Sequence, residues 1–254
     1  MILFLSDSEY IDTKVPLDLS IPMQSGVENL KAWYVDPPRF EPVRANGFLG
    51  SVIEGGAVNF RNVFFNPHGH GTHTECLGHI TPEVFSVNER VTEYICKALL
   101  ITVTPERIFN ELAGEWDEVI KIDQFDETVF LQNEIEAIII RTLPNYENKK
   151  SKNYSSINPP YLDVEIVDLL DRFKIKHLLL DLPSVDRESD GGKLIFHHRF
   201  WKVPEEPNHE RTITELVFIK NSIEDGIFLL DLQIAPFQND ASPSRPVLYQ
   251  IQVK

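Results

Sequence analysis

Four of the eight histidines, His68, His70, His73 and His79, fall within twelve residues, and Glu75 stands among them. Imidazole nitrogens and a carboxylate form the donor set that suits zinc, manganese or iron. Such density points to a metal site rather than to a surface loop that happens to carry histidine. Cys76 is one more donor inside the run, but a free cysteine beside apolar residues reads first as a packed structural thiol. Asn66-Pro67 precedes the cluster, and Gly69, Gly71 and Gly78 interrupt it. The segment therefore cannot be a regular amphipathic helix. It reads as a loop whose glycines let the backbone turn tightly, so that side chains close in sequence converge on one point. A helix is expected to start just after it, with Thr81 as N-cap and Pro82 as the first helical residue.

Further candidates lie far along the chain. Glu215 heads the apolar run Glu215-Leu216-Val217-Phe218-Ile219. A lone buried carboxylate is costly, so it calls for a cation or another partner. His197 and His198 are adjacent, and in an extended segment only one of them faces a site, leaving the other exposed or in a supporting role. Asp181, Ser184 and Asp186 gather at the end of another apolar run, as site residues do and as a capped turn also does. His177 reads as a packing or capping residue and His209 as solvent-exposed. Residues 186 to 192 read as an ion-paired turn, and Arg245 as one half of a structural ion pair.

Strands must carry most of these residues. The runs 98–104, 137–142, 177–182, 215–219 and 226–234 are β-branched or leucine-rich and are bounded by Pro, Asn and Gly. One helix stands out, Leu162 to Phe173, with Val164, Ile166, Val167, Leu169, Leu170 and Phe173 on one face and acidic residues between. Strands outnumber helices, which implies an α+β fold, mixed and sheet-rich. The polar stretches 145–158 and 204–211 read as loops, too short to be linkers, so residues 1–254 are expected to form one domain.

At 254 residues the chain can bury a large core, so a metal here implies function rather than scaffolding. A formal net charge of −15 disfavours nucleic acid and anionic membranes as partners. Two cysteines make no disulfide framework, and with no signal peptide evident at the N-terminus the expected location is the cytoplasm.

The segment Gly71-Thr72-His73-Thr74-Glu75-Cys76-Leu77-Gly78-His79 resembles the His-x-Gly-Thr-His-x-Asp-x-Pro-x-His signature of the putative cyclase family, which includes bacterial kynurenine formamidases and isatin hydrolases. The resemblance continues in order along most of the chain. It takes in Asp18-Leu19-Ser20, Pro160-Tyr161-Leu162 and Leu180-Asp181-Leu182-Pro183-Ser184-Val185-Asp186. It goes on through His197 with Phe200-Trp201, then Ile213-Thr214-Glu215-Leu216, and ends at Ala241-Ser242-Pro243-Ser244-Arg245-Pro246-Val247.

That resemblance implies one or two divalent ions per chain, zinc or manganese, held by His73, Glu75 and a preceding histidine, with His197 and Glu215 as distal ligands. It implies His79 as the catalytic acid/base, and the spacing to Phe200-Trp201 selects His197 over His198. The family's first histidine lies four residues before the Gly-Thr-His histidine, where this chain has Gly69; His68 is favoured as its replacement and His70 is the alternative. Glu75 replaces the family aspartate, and Cys76-Leu77 replaces the usual Ala-Pro.

The implied activity is metal-dependent hydrolysis of a C–N amide bond in a small aromatic amide or lactam, the chemistry of arylformamidases in tryptophan catabolism. A homodimer or homotetramer is implied with it. Phe65 and Trp201 are candidates for an apolar wall, although core packing is the commoner use of such residues. Alternatives on the same site are lactone or cyclic-ester opening, a biosynthetic cyclisation, or metal or ligand binding without catalysis. A Cys76 nucleophile ranks below these.

Overall fold

The computed structural model describes residues 1–254. Eight strands make its main sheet: β1 (Leu17–Asp18), β2 (His73–Glu75), β3 (Ile95–Val103), β4 (Ala137–Thr142), β5 (His177–Leu180), β6 (Thr212–Glu215), β7 (Gly226–Ile234) and β8 (Ala241–Gln250). Their order is β7-β3-β4-β5-β6-β2-β8-β1, and β7 also pairs with β8. Seven strands thus close into a barrel, with β1 hanging on β8. Strands β3 to β6 run parallel, and the remaining pairs are antiparallel.

Alternation along the strands builds two cores. One face of the barrel turns inward, where Ala98, Leu100, Ile139, Leu179, Phe228, Leu230 and Leu248 pack together. The other face carries Leu99, Ile138, Ile140, Leu178, Leu180 and Ile213 outward, under helices α2 (Ile166–Arg172) and α3 (Ile195–Trp201). Residues of β4 and β5 are therefore buried on both sides, which is why their sequences are unbroken apolar runs.

Two runs, 137–142 and 226–234, match their strands end to end. Elsewhere the structure shifts the boundaries. β3 starts earlier, at Ile95, and β5 stops at Leu180. β6 is Thr212–Glu215 rather than 215–219, because Leu216 turns to φ 56° and leaves the ladder. The apolar residues beyond it still reach the core, with Val217 and Ile219 in the inner cluster.

Helix α2 starts at Ile166, not Leu162. Tyr161–Leu162 is instead a short strand beside Val119–Ile120, and Asp163 accepts the Glu165 N–H at 3.0 Å to close the turn that follows. The helix expected at Thr81 does not form. Thr81 Oγ1 donates to the Glu83 carbonyl in a turn, and the next helix is the single turn Val87–Arg90. Pro82, Glu83 and Val84 are exposed, Val84 at 91%, so the first turn of such a helix would have nothing to pack against. No helix is long and apolar enough to cross a membrane.

Candidate metal centre

The clustered histidines sit on three consecutive local structures. Asn66 caps a single helical turn, α1 (Pro67–His70), by accepting the Gly69 N–H at 3.1 Å. Gly71 and Thr72 lead into β2, and Leu77–His79 forms a short 3-10 turn after it. The glycines serve packing rather than left-handed turns. A Cβ on Gly78 would lie 2.3 Å from the Phe85 carbonyl oxygen, and one on Gly69 would lie 2.9 Å from the Val35 side chain. Thr72 ties the loop to the barrel, donating to the Leu216 carbonyl at 2.6 Å and accepting the Ile21 N–H.

β2 lies between β6 and β8. His73 and Glu75, two residues apart, share one face, and the register sets Glu215 opposite His73 and Ile213 opposite Glu75. Ile213 belongs to the outer core, so the site lies on the outside of the barrel wall. Thr74 and Thr214 point the other way and share a hydrogen bond at 2.8 Å.

His197 arrives from α3. The segment is helical, so neighbours diverge by about 100° rather than alternating as strand residues do. His197 faces inward and is buried, while His198 is half-buried and donates Nδ1–H to the Val203 carbonyl at 3.1 Å. Asp186 fixes this end of the helix. It accepts the N–H groups of Phe196 and His197, and its Oδ2 lies 2.6 Å from His197 Nδ1.

Glu75 is the hub. Its Oε2 lies 3.0 Å from His68 Nδ1 and 4.0 Å from His79 Nε2, and its Oε1 lies 3.1 Å from His197 Nε2. His73 Nε2 lies 3.4 Å from Glu215 Oε2, and Gly71 accepts the other ring nitrogen's proton at 3.0 Å. Three overlapping sets each bring one donor atom per residue within 4.8 Å: His68–His73–Glu75, Glu75–His79–His197 and His68–His79–Asp240.

The electrostatics centre on two buried carboxyl groups. Burial disfavours charge on Glu75, yet His79, His197 and His68 hold its pKa well below the ordinary carboxylate range. Burial, and then the charge on Glu75, push Glu215 up. Burial also opposes charge on His68 and His197, but their carboxylate partners outweigh it and hold both pKa values at about 10. His73 Nε2 and Glu215 Oε1 are buried with no hydrogen-bond partner. An imidazole lone pair and a carboxylate oxygen orphaned together, beside a second carboxylate, fit a divalent ion.

Other residues fall outside this centre. Both ring nitrogens of His70 are engaged, one by the Asn66 N–H and one by the Asp36 carbonyl, each at 2.8 Å, so it braces the loop. Cys76 is buried, with Sγ 3.5 Å from the Phe85 carbonyl oxygen, and burial raises its pKa to about 11. Trp201 is fully buried 5.3 Å behind the His197 ring and donates to the Arg211 carbonyl, so it is core rather than pocket wall. Phe65 is half-buried against Phe237. Asp181 is held by Thr142 and Lys149 away from the histidines, and Arg245 pairs with Asp18 at 2.7 Å.

Sequence reasoning missed Asp240. Its Oδ2 lies 2.8 Å from His68 Nε2 and 3.3 Å from His79 Nδ1. The only signal is its place directly before Ala241, the residue that pairs with Glu75.

Comparisons with known proteins agree with this architecture. The family model described as Putative cyclase matches residues 17–187, a stretch that includes the loop from His68 to His79. A search of curated protein sequences finds no match. Among solved structures, one described as a predicted metal-dependent hydrolase from Bacillus stearothermophilus superposes with a TM-score of 0.61 at 13% identity, over 92% of this chain and 98% of that one. Isatin hydrolase A from Labrenzia aggregata, bound to benzyl benzoate, gives 0.62 at 13%, over 92% and 93%. Isatin hydrolase A from Ralstonia solanacearum gives 0.61 at 13%, over 92% and 91%.

Proposed function

This chain belongs to the putative cyclase family, and from that premise we propose that it is a metal-dependent hydrolase that opens a C–N amide bond in a small arylformamide or cyclic amide. His68, His73 and Glu75 would hold one ion, zinc or manganese, and Glu75, His197 and Glu215 a second where two are bound. The observation that carries the reading is the fully buried pair of orphaned donors, His73 Nε2 and Glu215 Oε1, beside the Glu75 hub. When bound, the ion supplies Lewis acidity, acidifying a water and polarising an amide carbonyl.

The chain's own residues do the rest. His73, Glu75, His197 and Glu215 are buried, which strips water from every donor except at one side. That side is the mouth, where the His79 side chain is 32% exposed. There His79 Nε2 would take a proton and return it to a leaving nitrogen. Glu75, one methylene longer than the family aspartate, reaches His68 and His197 at once through its two oxygens. The likeness to two isatin hydrolases favours a cyclic amide as the first substrate to try.

The test is metal content of wild type and His73→Ala, together with turnover of isatin, an N-formyl aromatic amide and a lactone. Bound zinc or manganese lost in the variant along with amide turnover is the expected result. Wild type that takes up neither metal, even when supplemented, would sink the reading.

A further inference from the structure

We propose that Asp240 is a positioning residue for both His68 and His79, holding the two rings in opposite tautomers so that the His68 lone pair faces the metal position and the His79 lone pair stays free on the Glu75 side to take a proton. The inference rests on the metal-dependent reading above. A neutral imidazole has one N–H and one lone pair. Asp240 Oδ2 lies 2.8 Å from His68 Nε2 and 3.3 Å from His79 Nδ1. Once a metal displaces the second proton of His68, the N–H groups that remain face Asp240, and the lone pairs fall on His68 Nδ1 and His79 Nε2. These are the two atoms that approach Glu75 Oε2, at 3.0 and 4.0 Å.

The two rings lie side by side, centroids 4.3 Å apart and planes 30° apart, so one carboxylate oxygen can serve both edges. The backbone around Asp240 is anchored to the same loop. Its carbonyl accepts the Cys76 N–H at 3.0 Å, the Asn239 carbonyl accepts the Val87 N–H at 2.9 Å, and Ala241 begins the strand that pairs with Glu75. The carboxylate is therefore delivered by the chain that frames the centre, and it is not a surface side chain that happens to lie near. A carboxylate behind a metal-binding histidine fixes the tautomer and raises the ligand's basicity.

The test uses the full chain as wild type, Asp240→Asn and Asp240→Ala, titrated with Zn2+ alone against a chromophoric chelator. Histidine 15N spectra of the zinc-loaded proteins report the tautomers. Asp240→Asn is isosteric, and it guards against misfolding of the alanine variant. The expected result is an unchanged number of ions at saturation, an affinity weaker by about 10- to 100-fold, and loss of the Nδ1–H form of His79. One ion fewer at saturation would make Asp240 a ligand and overturn the proposal. Affinity and tautomers unchanged from wild type would overturn it too, while leaving the metal-dependent reading intact. Wild type that binds no zinc would overturn both.

Discussion

Glu215 stands directly opposite His73 across the β6–β2 ladder, with Oε2 3.4 Å from Nε2, while its other oxygen, buried, meets no donor at all. A register pair on two barrel strands is as rigid a placement as a protein offers. Here it points a carboxyl group and an imidazole at the same space, and burial and Glu75 disfavour negative charge on that carboxyl group.

Replacing that acid separates folding from binding. Metal-free Glu215→Gln is expected to be at least as stable as the wild type, because the variant has no charge to bury. Wild type should gain about 3 kcal/mol from metal at a hundredfold excess over its dissociation constant, and the variant should gain far less. Urea melts with and without zinc measure both. A variant that keeps the full metal gain would remove Glu215 from the ligand set.

His79→Gln is expected to lower kcat by about 10²- to 10⁴-fold, the usual contribution of a general acid/base. The ion content should stay at the wild-type level, because the proposed ligands do not include His79. Elemental analysis beside steady-state rates checks this, and metal loss equal to that of His73→Ala would recast His79 as a ligand.

Cys76 is buried and its thiol is raised to about 11, so almost no thiolate exists near neutral pH. Iodoacetamide at neutral pH should leave the native enzyme active, whereas a chelator should inactivate it. Alkylation that abolishes turnover while metal stays bound would revive a thiol nucleophile.

His177 gives a pH dependence outside the candidate centre. It is buried at the start of β5, shares a 2.8 Å hydrogen bond with Thr212 Oγ1, and burial lowers its pKa from 6.5 to about 4. The unfolded chain binds the proton first as pH falls, so the stability contributed is whole above 6.5 and is lost on the way down to about 4, amounting to at most about 3 kcal/mol. Metal-free His177→Asn should show a shallower loss of stability than wild type across that window in denaturant melts. Parallel curves would show that His177 is not buried neutral.

The sequence by itself determined the residue types of the centre and much of the barrel. The apolar runs 137–142 and 226–234 are strands from end to end because burial on both faces demands unbroken hydrophobicity. The His68–His79 cluster was legible because its members are local, and Glu215 because a carboxylate among apolar residues needs a partner. Tertiary structure decided what depends on contacts distant in sequence. Only the packing of the loop shows His70 consumed by Asn66 and Asp36 while His68 is turned toward Glu75. The resemblance pointed to His197 rather than His198, but the helical form of 195–201, held by Asp186, turns His197 inward by rotation about a helix axis and not by strand alternation. Asp240, 172 residues from His68, reaches the centre only because β8 pairs with β2. Local propensity carries no record of such a pairing, because the energy that fixes it belongs to the closed barrel rather than to either segment alone.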